Sequence, residues 1–286
     1  MDQILSAVAA ATHRRFPNLR RADLAITLVI PNRGQAIGAS RHGGEPWYPA
    51  SVVKLFYMAA VEAWLERGRL TLDGDLRGAL REMIGRSDND ATNHIVDLLT
   101  GTTSGPAMAP SAFNAWLQKR RAVNRYFAGW RLPEFAGISM TQKTWSFAPY
   151  GREYASRFRV PDNHNALSTD AVARLLLAIL NGEAVNRRRS AAMMKLLART
   201  IPDKIDPKAP IDQVVGFLGQ DLPKKAKLWS KAGWTSAVKH DGAIVQLPSG
   251  QRFILVVFTR GHVAAQSKQI LPFIGHRVAS LLCSAK

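Results

Sequence analysis

The spacing of hydrophobic residues changes several times along the chain, and each change marks a different kind of element. Residues 3–16 carry apolar side chains at helical spacing and predict a short helix. Asp23–Ile30 is an apolar, β-branched run, followed by the turn signal Pro31-Asn-Arg-Gly34 and a second strand over Gln35–Ser40. Together these predict a hairpin. From Ser51 the period becomes helical again: Leu55, Met58, Ala59 and Leu65 recur up to the breaker Gly68. Further helices are expected over Leu76–Ile84, Asp90–Leu99, Ser111–Asn124, Thr169–Asn181 and Ser190–Ala198. Strand patterning returns over Leu228–Ser236, His240–Leu247 and Arg252–Thr259, with Pro248-Ser-Gly250 turning the last pair. A closing helix is expected over Ala264–Cys283.

Strands at both ends with helices between them imply an α+β fold, in which an antiparallel five-stranded sheet with flanking helices is assembled from distant halves of the chain. The expected division is a discontinuous α/β region, residues 1–46 and 200–286, and an all-helical region, residues 47–199, with an aromatic-rich loop at 126–158.

Composition fits this picture and narrows it. With 286 residues, 47% hydrophobic and 21% charged, the chain can bury a core, which excludes disordered and fibrous classes. Cys283 is the sole cysteine, so a disulfide scaffold is excluded. No apolar run approaches the roughly 20 residues that span a bilayer. Met1–Phe16 lacks the order of charge, apolar core and cleavage site of a secretory signal; the chain is expected to be either intracellular or a mature form. The seven histidines are scattered without a His-Glu-x-x-His or Cys/His spacing, which argues against a zinc hydrolase and for no cofactor. The net charge of +18 favours an anionic partner such as nucleic acid or an envelope polymer. The basic clusters Lys119-Arg120-Arg121, Arg187-Arg188-Arg189 and Lys224-Lys225 with Lys227 lack interleaved aromatics, and are expected to be three solvated faces.

The candidate chemistry lies in three short segments. Ser51-Val-Val-Lys54 opens a helix, where residues three apart share a face, so a partly desolvated Lys54 amine can take the Ser51 proton. Ser236-Ala-Val-Lys239 has the same spacing, but in or beside a strand, where the two side chains point apart. Ser87-Asp88-Asn89 lies between two helices and Lys231-Ala232-Gly233 lies in a strand. Taken singly, each has an ordinary structural explanation: a helix cap for Ser51 and for Ser87–Asn89, an edge-strand lysine with an interrupting glycine for Lys231–Gly233. Their joint occurrence in this order, on a helix start, a loop and a strand, does not.

With Tyr48-Pro-Ala-Ser51-Val-Val-Lys54, Ile84–Asn93, Ala166–Leu177 and Trp229–Trp234 in sequence, most of the chain resembles the class A β-lactamase and penicillin-binding-protein superfamily of active-site serine hydrolases. The resemblance implies a metal-independent hydrolase of β-lactam or related amide bonds, working through an acyl-enzyme on Ser51. It implies Lys54 as proton acceptor, Ser87 as relay to the leaving nitrogen, Asn89 as a ligand of a substrate amide and Lys231 as partner of a substrate carboxylate. The backbone amides of Ser51 and Trp234, next to Gly233, would form the oxyanion hole. It further suggests a periplasmic or extracellular setting, with a small-molecule or peptide amide substrate. An envelope polymer remains a candidate partner, and no specific nucleic acid is expected. Two rival readings stand beside it: a D-Ala-D-Ala peptidase-like protein that acylates and deacylates slowly, and a non-catalytic polyanion binder on a hydrolase scaffold.

The sequence departs from the superfamily in three places. The Glu-x-x-Leu-Asn stretch that holds the hydrolytic water is not found; Glu153 stands roughly where it belongs and Glu134 is the other candidate. Ala232 replaces a hydroxyl residue of the third motif. Tyr126–Phe158 is long and aromatic-rich, expected to be either a lid over the site or a small satellite core.

Overall fold

The structure, a computed structural model, describes residues 1–32, 36–204 and 212–284. In chain order it contains α1 (Asp2–Arg15), β1 (Leu24–Ile30), β2 (Ile37–Arg41), a 3₁₀ turn (Ala50–Val53), α2 (Lys54–Glu66) and α3 (Gly74–Arg81). A π turn (Glu82–Arg86), α4 (Asn89–Thr100), α5 (Pro110–Arg120), α6 (Ala122–Ala128), α7 (Gly151–Phe158), α8 (Thr169–Asn181) and α9 (Arg187–Leu197) follow. The chain closes with β3 (Ala198–Arg199), β4 (Lys227–Trp234), β5 (Val238–Gln246), β6 (Arg252–Arg260), α10 (His262–Gln266) and α11 (Ile270–Ser284).

The fold is α+β, and its sheet runs β2-β1-β6-β5-β4-β3 with every pairing antiparallel. The sixth strand, beyond the five expected, is the two-residue β3 at the edge. Pairing of β1 with β6 joins residues more than 200 positions apart, with Leu24 opposite Thr259. Alternation of side chains supplies two apolar faces from one strand. Ile254, Val256 and Phe258 of β6 join one buried cluster with α2 and α8, whereas Phe253, Leu255 and Val257 join another with α1 and α11.

Helix α2 is buried from Lys54 through Leu65, all round its circumference, as expected of a helix at the centre of a core rather than on its surface. Its first residue is therefore a lysine placed deep in the protein. Helix α8 has the bounds expected from sequence: the Ser168 side chain accepts from Ala171 N at 3.1 Å, and Gly182 ends the helix at φ 81°.

Two expected helices are divided. The 111–124 segment breaks at Arg121 into α5 and α6. The closing helix breaks at Ser267, whose hydroxyl accepts from the amides of Gln269 and Ile270, both at 3.2 Å. Pro272, having no amide hydrogen, fits the first turn of α11 and would disrupt the middle of a longer helix. Residues 33–35 of the expected hairpin turn and second strand start lie outside the described residues.

The aromatic-rich segment divides as well. Phe127 and Phe135 pack edge-on against Phe56 of α2, and Tyr126 against Trp64, so this half is core. Phe147, Tyr150, Tyr154 and Phe158 are exposed, the last two on α7, a helix the sequence pattern did not predict.

The basic clusters are not all solvated faces. Arg120 is fully buried in an ion pair with Glu153, and Arg189 pairs with Glu62 at 3.2 Å and Glu66 at 2.9 Å. Lys224, Lys225 and Lys227 are exposed as expected. No helix among the described residues is long and apolar enough to cross a membrane.

Candidate active site

Ser51 lies on the 3₁₀ turn, held from both sides by the sheet. Upstream, the carbonyl of Tyr48 receives a hydrogen bond from His240 Nε2 at 3.0 Å. The His240 Nδ1 accepts from Thr259 N at 3.1 Å, which sets the Nε2–H tautomer. Burial lowers the His240 pKa to about 4, so the ring is neutral and its donor permanent. On the other side, Gly233 of β4 comes so close that a Cβ there would stand 2.7 Å from Ser51 N and 2.8 Å from Val52 N. Only glycine allows the strand this near. The Ser51 amide is thereby set beside the Gly233–Trp234 stretch.

The second segment is fixed by helix capping. Asp88 is the N-cap of α4 and accepts from Ala91 N at 2.7 Å, while Ser87 adopts a left-handed φ of 60° at the end of the π turn. A positive φ recurs at Ala50, directly before Ser51, at 45°. Neither residue is glycine, and such strained positions persist where the surrounding structure imposes them. The cap explains Asp88; it leaves Ser87 and Asn89 turned toward two lysines.

Lys54 and Lys231 are both fully buried and both donate to Ser87 Oγ, at 3.3 and 2.9 Å. Lys54 also donates to the Ser87 carbonyl at 2.5 Å, Asn89 Oδ1 at 2.9 Å and the Asp88 carbonyl at 3.2 Å. Burial lowers its pKa to about 7, against the opposing Asp88 charge. Lys231 donates further to Gln213 Oε1 at 2.5 Å and to its neighbour's carbonyl, Ala232 O, at 2.7 Å. Its pKa lies well below the usual lysine range, through burial first and then the nearby charges of Lys54 and Arg199.

The structure thus brings Ser51, Lys54, Ser87, Asn89, Lys231, Gly233 and Trp234 to one place. It differs from the sequence expectation at the first pair: among the described residues, no hydrogen bond joins Lys54 to Ser51. The carbonyls and amide of the Ser87–Asn89 turn take up the ammonium hydrogens instead. The look-alike Lys239 bonds the Ser267 carbonyl at 2.8 Å, away from Ser236, as strand geometry requires. Ala232 is buried in the cluster beneath the sheet with α1 and α11.

Glu153 is not brought to this group. Its carboxylate lies fully buried on α7, bonded to Arg120 Nη2 and, at 3.0 Å, to Ser104 Oγ. Burial raises its pKa despite the Arg120 charge. Arg120 also faces Asp97, eight residues along α4 from Asn89, a rise of about 12 Å. Glu134 lies at a separate cleft with Thr27, Ser40 and Asp170.

Gln213 is the site residue that the sequence did not disclose. Its Nε2 donates to the carbonyls of Ile84 at 2.8 Å and Gly85 at 2.7 Å, on the turn that carries Ser87, while its Oε1 accepts from Lys231. A lone glutamine outside any motif carries no sequence signal for such a bridge.

Comparison with known proteins places the family and the fold. The chain belongs to the β-lactamase enzyme family, whose profile matches residues 74–281, a span containing Ser87-Asp88-Asn89 and Lys231-Ala232-Gly233 and beginning after Ser51. No curated protein matches it significantly in sequence. Among solved structures, a β-lactamase from Sphaerobacter thermophilus DSM 20745 is 20% identical with a TM-score of 0.67, covering 99% of this chain and 96% of that one. A PBP-A variant described as an acyl-enzyme complex with penicillin G is 19% identical with a TM-score of 0.68, covering 99% and 97%. A variant of the extended-spectrum β-lactamase TLA-1 is 13% identical with a TM-score of 0.70, covering 97% and 98%. At these identities the likeness is one of fold.

Proposed function

We propose that the protein is a serine hydrolase that opens β-lactam or related amide bonds through an acyl-enzyme on Ser51. The observation that carries this reading is the Ser87 hydroxyl, shared by two buried lysines beside a turn on which Gly233 abuts the Ser51 amide. Neutral Lys54 accepts the Ser51 proton as Oγ bonds to the carbonyl carbon. The carbon–nitrogen bond then breaks, and the proton passes through Ser87 Oγ to the leaving nitrogen. The amides of Ser51 and Trp234 stabilise the oxyanion, and Lys231 meets a substrate carboxylate, whose negative charge favours the protonated amine there. Water then releases the acid and restores the Ser51 hydroxyl.

One observation favours a slow second half. Glu153 is held in a buried pair with Arg120, which supports a protein that acylates readily and deacylates slowly, as a penicillin-binding homologue does. Incubation with a chromogenic cephalosporin, following turnover and protein mass together, tests both. Steady turnover lost in Ser51→Ala supports hydrolysis, and a lasting adduct on Ser51 supports slow release. Neither signal with any acyl donor overturns the proposal.

A further inference from the structure

Helix α7 is pinned by one face and open on the other. Its inner face carries Glu153, paired with Arg120, and Ser156, whose Oγ accepts from Asn163 Nδ2 at 2.8 Å and Gln142 Nε2 at 3.2 Å. Its outer face carries Tyr154, Arg157 and Phe158, at the i, i+3 and i+4 spacing that aligns side chains along a helix. Tyr154 and Phe158 are 45% and 57% exposed, and their rings meet at 4.8 Å.

The Arg157 guanidinium is the link from this face to Ser51. It lies 5.4 Å from the Phe158 ring centroid and 5.9 Å from that of Tyr48, three residues before Ser51. Among the described residues it forms no ion pair, and the only acid on α7, Glu153, is buried and already engaged. Tyr48 is 40% exposed, while its carbonyl is tied down by His240. The rim of the nucleophile's turn therefore presents a half-buried cation between two accessible rings, on a backbone anchored at both ends. Contact with rings partly desolvates a guanidinium and leaves its hydrogen-bond donors available to a carboxylate in the same plane.

Resting on the Ser51 acylation reading, we propose that Arg157, flanked by Tyr48 and Phe158, is a specificity-determining residue that selects acyl donors bearing a negative charge beside an aromatic ring. The leaving nitrogen is served by Ser87, which the two lysines surround. The side chain on the acyl side of the scissile bond is the part left to run along the Tyr48 rim. There a carboxylate pairs with Arg157 while an aryl group stacks on Tyr48 or Phe158, and a cationic substituent is repelled.

Three penicillins that share one nucleus test this: benzyl, α-aminobenzyl and α-carboxybenzyl. Acylation rate constants are measured by intact-protein mass on the full chain at low and high salt. The expected order is carboxybenzyl, benzyl, aminobenzyl, with about tenfold between the extremes at low salt and less at high salt. Arg157→Gln brings the carboxybenzyl-to-benzyl ratio to about one, and Arg157→Lys, which keeps the charge, restores part of it. A thermal melt of each variant separates loss of selectivity from loss of fold. A flat order in the parent protein, or an order unchanged in Arg157→Gln, overturns this inference and leaves Ser51 acylation standing. Absence of any adduct with all three overturns the acylation reading and this inference with it.

Discussion

Lys231 reaches across 144 residues of chain to donate a 2.9 Å hydrogen bond to Ser87 Oγ, the hydroxyl that also faces Lys54. Two ammonium groups around one hydroxyl repel, and both are deeply buried, so the positive charge is held there against its electrostatic cost. Burial and mutual repulsion favour the neutral amine at both positions: Lys231 lies well below the usual lysine range, and Lys54, at about 7, changes charge near physiological pH.

The first prediction concerns pH. A base acts only when deprotonated, so acylation of Ser51 rises with pH through about 7 and levels off above it. Lys54→Arg, whose side chain keeps its proton, lowers the acylation rate by about 10²–10⁴-fold and removes the rise. A pH–rate profile of single-turnover acylation checks both.

Gln213 is expected to act as a positioning residue. Gln213→Leu leaves the Gly85 carbonyl and one Lys231 hydrogen without partners, each costing about 1–3 kcal/mol, while the Ile84 carbonyl keeps the Arg199 Nη2 bond at 2.7 Å. Acylation slows about tenfold to a hundredfold, and its pH profile shifts because Lys231 and Lys54 no longer keep their spacing. An unchanged profile with only a lower melting temperature contradicts the role.

Glu153→Gln is expected to act on stability rather than on release of the acyl group. It leaves the buried Arg120 charge with only the more distant Asp97, at 3.7 Å, as an anion, at a cost of about 3–5 kcal/mol and about 10 °C in Tm. Deacylation in the protein that remains folded keeps its rate. A selective slowing of deacylation, measured by the lifetime of the Ser51 adduct, restores Glu153 as the base.

His240 gives a pH signature in stability. Its pKa is about 4 in the fold and about 6.5 when unfolded, so only the unfolded chain takes up a proton as pH falls through 6.5. Stability is full above pH 6.5, declines by about 3 kcal/mol toward pH 4, and is flat below as far as this group is concerned. His240→Gln, which can keep both hydrogen bonds, flattens that slope in urea titrations at a series of pH values.

Much of this site was legible before the structure, for a physical reason. Ser51, Lys54, Ser87, Asn89, Lys231 and Gly233 lie in short segments whose spacing is tied to a helix start, a cap and a strand, and local geometry is what sequence records best. The sheet was legible from strands at both ends, although its two-residue edge strand was not. Contacts between distant segments escaped. The Arg120–Glu153 pair turned an apparently solvated basic cluster into part of the core, and Gln213 joined two motifs from a position with no pattern of its own. Pro272 did mark the break in the closing helix, a signal masked by the apolar periodicity on either side of it.

The most direct measurement is the mass of the protein after brief exposure to benzylpenicillin, followed by peptide mapping. A gain of one whole penicillin is expected on the peptide containing Ser51, absent in Ser51→Ala and slowed in Lys54→Arg. An adduct that survives Ser51→Ala, or unmodified protein with no penicillin consumed, contradicts acylation at Ser51.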